Sequence, residues 1–199
     1  MKLKPAGLLF DMDGVLVDSR DSWYRVFAEL FGERFNRALS RKEFFTRYWA
    51  RDLRDIFAEL DLEIELHDFC THSYSHYLEA VLIMDGAEET LSRFNRYPKA
   101  IITNTPPDCT RQILRKFRLE RFFEKIITGA EVENGKPAPD IVRKGAEALG
   151  IDPEEAVLIG DSDLDVQAGK AAGCTVIGLG IEADYTIRCL PELLDLIET

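Results

Sequence analysis

The sequence predicts an α/β fold, a parallel sheet wrapped by helices on both faces and interrupted once by an all-helical insertion. Three observations carry that prediction. Apolar runs of strand length recur at Leu8–Phe10, Ala100–Thr103, Lys125–Thr128, Ala156–Gly160 and Cys174–Gly178. Helical patterns of about ten residues separate the later runs. Between residues 19 and 84 this rhythm stops, and no strand-like run occurs.

Taken in order, Gly7-Leu8-Leu9-Phe10 reads as a buried strand that ends where Asp11 begins. Gly14 then lets the chain turn sharply. The insertion offers four helical segments, roughly Ser19–Phe31, Ser40–Ala50, Asp52–Leu60 and Glu65–Met84. Trp23, Val26, Phe27 and Leu30 make one apolar stripe on the first of these. Phe44, Phe45, Tyr48, Trp49 and Phe57 add aromatic mass, read as the core of a small bundle ahead of a substrate clamp. Arg51 and Arg54 could grip a distal substrate charge or pair with Asp52, Asp55 or Glu59. The chain therefore divides into a sheet core, 1–18 with 85–199, and a helical unit, 19–84, joined by hinges at Asp18-Ser19 and Met84–Gly86. Helices follow over Ala87–Tyr97, Pro107–Arg118, Asp140–Leu149 (closed by Gly150), Ser162–Ala172 (capped by Ser162 or Asp161, stopped by Gly173) and Pro191–Ile197.

Bulk properties narrow the function. A chain of 199 residues can bury a real core, and 46% hydrophobic with 31% charged residues is an ordinary globular mixture. A net charge of -11 argues against a nucleic-acid or anionic-membrane surface. Cys70, Cys109, Cys174 and Cys189 lack metal-like spacing and read as reduced thiols. Met-Lys-Leu-Lys-Pro leads straight into a strand without a signal-peptide core, so a soluble, cytoplasmic protein is expected. His67, His72 and His76 lie in the last helix of the insertion; the HxxxH pair lacks a third ligand and is read as solvated or packing.

The chemistry-bearing residues sit at strand ends. Positions i and i+2 of a strand share a side, so Asp11 and Asp13 should converge just past the first strand. Two acids that close need a cation or a division of labour between nucleophile and proton carrier. The second strand ends in Ile102-Thr103-Asn104-Thr105-Pro106, where a hydroxyl and main-chain N–H groups could meet an anion. After the third strand, Gly135-Lys136-Pro137 sets a lysine in a stiff turn that is not a P-loop. The fourth ends in Gly160-Asp161-Ser162-Asp163-Leu164-Asp165, and capping does not account for all three acids. All four segments fall at the carboxyl edge of the expected parallel sheet, where such folds bind ligands. A carboxylate nucleophile, a proton donor, anion donors, a lysine and acids for a Mg²⁺ together suit phosphoryl transfer.

This order and these spacings resemble the haloacid dehalogenase superfamily of phosphohydrolases, in its branch with a helical cap after the first strand. The resemblance spans nearly the whole chain. It implies a Rossmann-like core with strand order 3-2-1-4-5, a four-helix cap that closes over substrate, and Mg²⁺ as cofactor. Asp11 is then the nucleophile and a metal ligand. Asp13 serves as acid and base and lends its main-chain carbonyl to the metal. Thr103, with the N–H groups of Met12 and Asn104, binds the phosphoryl group; Lys136 offsets charge; Asp161 and Asp165 complete the metal site. The implied substrate is a small phosphorylated metabolite, best matched by a phosphoglycolate-type monoester, and the protein a monomer or homodimer. Metal-free dehalogenases typically lack the acid matching Asp13, which favours phosphate chemistry. Every expected catalytic residue is intact, against a purely binding role. A hexose-phosphate mutase similar to β-phosphoglucomutase is the alternative, but such mutases carry a histidine where this chain has Trp23.

Overall fold

Strand ends that face one another build the platform on which the chemistry-bearing residues meet. A computed structural model describes residues 2–199. Its main sheet has six parallel strands in the order β5-β4-β1-β6-β7-β8: Lys125–Thr128, Lys99–Thr103, Gly7–Phe10, Ala156–Gly160, Thr175–Leu179 and Tyr185–Ile187. Numbered by appearance in this sheet, the first five follow the expected order 3-2-1-4-5. The sixth strand was not expected; at three residues, with Tyr185 exposed, it carries too little apolar signal to read. β1 sits centrally, with Phe10 opposite Ile101 on one side and Ile159 on the other. Asp11 N–H donates to the Ile159 carbonyl at 2.9 Å, so the ladder carries one residue past the strand and fixes where the first acid emerges.

Alternation divides the core between the two sheet faces. Leu9, Ala100, Ile102 and Leu158 pack with Ile141, Val142 and Ala168 from helices α7 (Asp140–Leu149) and α8 (Asp163–Ala172). Leu8, Phe10, Ile101, Val157 and Ile159 face the other way, into a cluster that includes Cys109, Ile113 and Leu114 of α6 (Pro107–Phe117). Helix α5 (Ala87–Arg93) is shorter than the pattern suggests. Pro98 disfavours helical geometry at the residue before it, and the chain turns out of α5 ahead of that point. The last helix is likewise reduced to a 3₁₀ turn, Leu190–Glu192, and α9, Leu193–Leu196.

The segment between residues 19 and 84 is helical as expected, with two differences. Helices α1 (Arg20–Phe35), α2 (Arg41–Arg47) and α3 (Leu53–Glu59) are regular. The fourth is not: α4 (Leu66–Asp68) runs into a π turn, Phe69–Ser73, and then 3₁₀ turns, Tyr74–Ala80. Thr71 Oγ1 donates to the His67 carbonyl at 2.8 Å and Ser75 Oγ to the Thr71 carbonyl at 2.6 Å, and such back-bonding loosens a helix. The segment is also entered and left by a two-stranded antiparallel ribbon, β2 (Val17–Asp18) with β3 (Leu82–Ile83), which adjoins the positions read as hinges and puts a short strand inside the stretch read as strand-free. Its core, with Trp23, Phe27, Phe44 and Phe57, is continuous with one face of the sheet.

The cysteines correct the sequence reading. Cys70, in the π turn, and Cys109, in α6, form a disulfide across a Cα–Cα distance of 5.3 Å. They are 39 positions apart and belong to different packing layers, so spacing alone could not pair them. Cys174 is free and buried, and Cys189 free and exposed. Among the described residues, no helix is long and apolar enough to cross a membrane.

Candidate active site

Four strand-end segments meet at the carboxyl edge of the sheet. Asp11, Asp161 and Asp165 each bring a carboxylate oxygen within 4.8 Å of the others. Gly14 makes this approach possible. It holds φ at +85°, and a Cβ there would lie 1.9 Å from Asp161 Oδ2. Only glycine fits such a turn against a neighbouring acid.

Lys136 supplies the positive charge. Its Nζ lies 2.9 Å from Asp11 Oδ1 and 2.7 Å from Asp165 Oδ1, all three groups buried. Asp165 also closes the capping box of α8: Ser162 N–H and Oγ donate to its Oδ2 at 3.1 and 2.5 Å. The cap is thus Ser162 with Asp165, while Asp161 stays free of it and Asp163 is exposed to solvent. Capping accounts for one of the three acids.

The charge count is unbalanced. Burial, then the repulsion of Asp165, holds the Asp11 carboxyl well above the usual carboxylate range despite Lys136. The same causes push Asp161 up to about 7. Burial would lower the Lys136 ammonium, but Asp11 and Asp165 outweigh it and keep the group charged. One lysine therefore faces more acid than it can offset. Asp161 Oδ1 is moreover buried with no hydrogen-bond partner. An all-oxygen donor set, surplus negative charge and an orphaned carboxylate oxygen fit a hard divalent cation. The histidines contribute to no such group among the described residues; His67 Nδ1 instead lies 2.8 Å from Asp108.

Asp13 points elsewhere. Its Oδ1 accepts from Ser19 Oγ and, at 3.2 Å, from Trp23 Nε1; its Oδ2 accepts from Thr105 Oγ1 at 2.7 Å. Ser19, Trp23 and Thr105 were not singled out as site residues by the sequence. Thr105 lies in the turn after the second strand run and Trp23 in the apolar stripe of the first insertion helix, but only the fold shows that both face Asp13. Met12 N–H donates to Asp11 Oδ1 at 2.7 Å, aimed at the carboxylate itself. Thr103 is buried at the end of β4, its Oγ1 accepting from Thr105 N–H at 3.1 Å. Asn104 works as a brace: its amide donates to the carbonyls of Ala50 and Lys136 at 3.0 and 2.9 Å and accepts from Lys136 N–H at 2.8 Å.

A cavity of about 40 Å³ opens beside Asp11 and Asp13. Thr103, Thr105 and Lys136 line its sheet side; Trp23, Phe27, Phe44, Tyr48, Trp49 and Arg51 line the helical side. The aromatic cluster is thus core and cavity wall at once. Of the two arginines, Arg51 pairs with Glu59 at 2.7 Å and Arg54 with Asp52 at 2.6 Å, the ion-pair reading of both. Arg54 also donates to the Gly129 and Val132 carbonyls, docking the helical segment on the sheet loops.

Known proteins resemble this arrangement. A family model described as haloacid dehalogenase-like hydrolase matches residues 8–179. The pyrophosphatase PpaX of Halalkalibacterium halodurans is 29% identical over 96% of this chain and 95% of its own length. The phosphoglycolate phosphatase of Escherichia coli K12 is 28% identical over 90% of this chain and 82% of its own. A crystal structure of a haloacid dehalogenase-superfamily hydrolase, subfamily IA, from Geobacter sulfurreducens superposes with a TM-score of 0.81 at 25% identity, covering 98% of this chain and all of that one.

Proposed function

Because the chain belongs to the haloacid dehalogenase-like hydrolase family, whose phosphatase members it resembles along most of its length, we propose that it hydrolyses a small phosphomonoester with Mg²⁺, through an aspartyl-phosphate on Asp11. The observation that carries this reading is the meeting of Asp11, Asp161 and Asp165 around Lys136.

In this mechanism an Asp11 oxygen attacks phosphorus as the ester P–O bond breaks. Asp13 gives its proton to the departing alkoxide, then takes one from the water that attacks the aspartyl-phosphate, releasing inorganic phosphate and restoring Asp11. Thr103, with the N–H groups of Met12 and Asn104, receives the phosphoryl oxygens. Lys136 offsets the charge that brings carboxylate and phosphate together. Asp11, Asp161 and the Asp13 main-chain carbonyl would hold the Mg²⁺, with Asp165 behind them. The ion supplies charge neutralisation at the phosphoryl oxygens when bound.

Residues 19–84 act here as a cap. Trp23, Phe44, Tyr48 and Arg51 of this segment wall one side of the cavity beside Asp11 and Asp13, so the segment lifts for substrate entry and closes again for turnover. A glycolate-sized leaving group is the substrate reading, following the resemblance to phosphoglycolate phosphatases; Arg51 would have to exchange Glu59 for the substrate carboxylate. The mutase alternative is disfavoured because Trp23, whose ring nitrogen can only donate, cannot exchange protons with a sugar hydroxyl.

Mg²⁺-dependent phosphate release from p-nitrophenyl phosphate tests the proposal. Wild type should turn over and Asp11→Asn should not, with both proteins folded by circular dichroism. Equal rates from the two would refute the mechanism. A panel of phosphorylated metabolites then identifies the leaving group.

A further inference from the structure

We propose that Trp23 is a positioning residue for the acid Asp13, fixing which of its oxygens carries the transferred proton; this rests on the mechanism above. The indole belongs to α1 and is buried, packed against Tyr74 at a ring-centroid distance of 4.3 Å, stacked near Phe69 and edge-to-face with Phe27. From there its Nε1–H reaches across to the sheet edge and donates to Asp13 Oδ1. Asp13 has two other partners, Ser19 Oγ on Oδ1 and Thr105 Oγ1 on Oδ2. Those are hydroxyls, which rotate and either donate or accept. An indole N–H only donates. Of the three partners, Trp23 alone has a fixed role.

Oδ1 is therefore always an acceptor while Trp23 is in place. An oxygen held as acceptor by a fixed N–H is the poorer place for a proton, so the proton that Asp13 passes to the leaving group sits on Oδ2, beside Thr105, and both Asp13 and Thr105 line the cavity. Losing the indole N–H frees the carboxyl to hold its proton on either oxygen and to rotate, and part of the acid population then faces away from the ester. There is a second consequence. Asp13 and Thr105 follow strands of the sheet, whereas Trp23 comes from the helical segment. The contact exists only when α1 lies on the sheet edge, so the acid is set in its working orientation by the same movement that covers the substrate.

A series of phenyl phosphates with ring substituents tests this, because it varies the acidity of the departing phenol at nearly constant shape. Proton donation matters little for the 4-nitrophenyl ester and much for the unsubstituted phenyl ester. Two variants serve: Trp23→Phe, and a protein with 3-benzothienylalanine at position 23, which keeps the ring shape and replaces N–H by sulfur. In both, the ratio of kcat/KM for phenyl phosphate to that for 4-nitrophenyl phosphate should fall about tenfold or more, a part of what a general acid contributes. An unchanged ratio would overturn the positioning role, whether both rates fall together or neither moves, since a purely structural tryptophan affects both esters alike. Asp11→Asn is run alongside. If it hydrolyses either ester at the wild-type rate, the mechanism itself fails. If it is inactive and the Trp23 ratio is unchanged, only the positioning role falls.

Discussion

At Lys136 a single buried ammonium stands between Asp11 and Asp165, at 2.9 and 2.7 Å. Removing it leaves two buried carboxylates facing each other, and breaking a buried pair in this way costs about 3–5 kcal/mol. Lys136→Met should therefore lower the free energy of unfolding by that order at neutral pH, read by urea denaturation, besides abolishing turnover. Gly14 makes a complementary point without any charge. A methyl group there would occupy the space of the Asp161 carboxylate, on backbone that already has positive φ. Gly14→Ala should add about 1–3 kcal/mol of strain. It should also weaken Mg²⁺-dependent hydrolysis roughly tenfold or more, as displaced ligands generally do. Calorimetry with and without Mg²⁺, together with a metal titration of activity, would check both effects. A Gly14→Ala protein with wild-type metal dependence would mean that Asp161 does not need its present position.

Elements carry the next order of organisation. Helix α8 begins with a reciprocal box, Ser162 accepting from Asp165 N–H while Asp165 accepts from Ser162. This cap holds the same carboxylate that pairs with Lys136, so helix start and site are one construction. Ser162→Ala should cost about 1 kcal/mol in thermal or chemical unfolding. The tie between α6 and the helical segment is covalent as well as polar: Cys70–Cys109 lies beside Gln112 Nε2 donating to the Cys70 carbonyl at 3.1 Å, with Lys116 Nζ donating to the Leu78 and Val81 carbonyls. A disulfide closing a loop of this separation contributes about 3–4 kcal/mol by restricting the unfolded chain. Dithiothreitol should accordingly lower the melting temperature of the wild type and leave that of Cys109→Ala unmoved.

Across the whole molecule the decisive quantity is charge. The chain carries a net charge of -11, and Asp11, Asp161 and Asp165 lie together at the sheet edge. Asp161, pushed up to about 7 from an ordinary 3.8, gives this a pH signature. Between those values the metal-free folded protein holds a proton that the unfolded chain has lost. Its stability therefore falls as pH rises through that window. A bound cation that neutralises Asp161 removes this loss. The rise in melting temperature on adding Mg²⁺ should thus be larger at pH 7.5 than at pH 5.5. A rise independent of pH would place the ion elsewhere.

How much of this was legible beforehand follows from the range of the forces involved. Strand runs, helix stops such as Gly150 and Gly173, and the motif residues Asp11, Asp13, Thr103, Lys136 and Asp161 are local patterns, and parallel topology sends every strand's carboxyl end to one edge. These patterns were enough for the α/β architecture, while the order of the first five strands came from the family resemblance rather than from the patterns themselves. They also sent Asp11, Lys136, Asp161 and Asp165 to one edge, where the structure brings these four side chains together. What touches Asp13 follows from packing alone, because Ser19, Trp23 and Thr105 reach it from three different segments. The same holds for the Cys70–Cys109 bond, the hinge ribbon of Val17–Asp18 with Leu82–Ile83, and the pairing of Arg51 with Glu59. Contacts of that kind depend on how layers pack, and packing distance is not written in the spacing of residues along a chain.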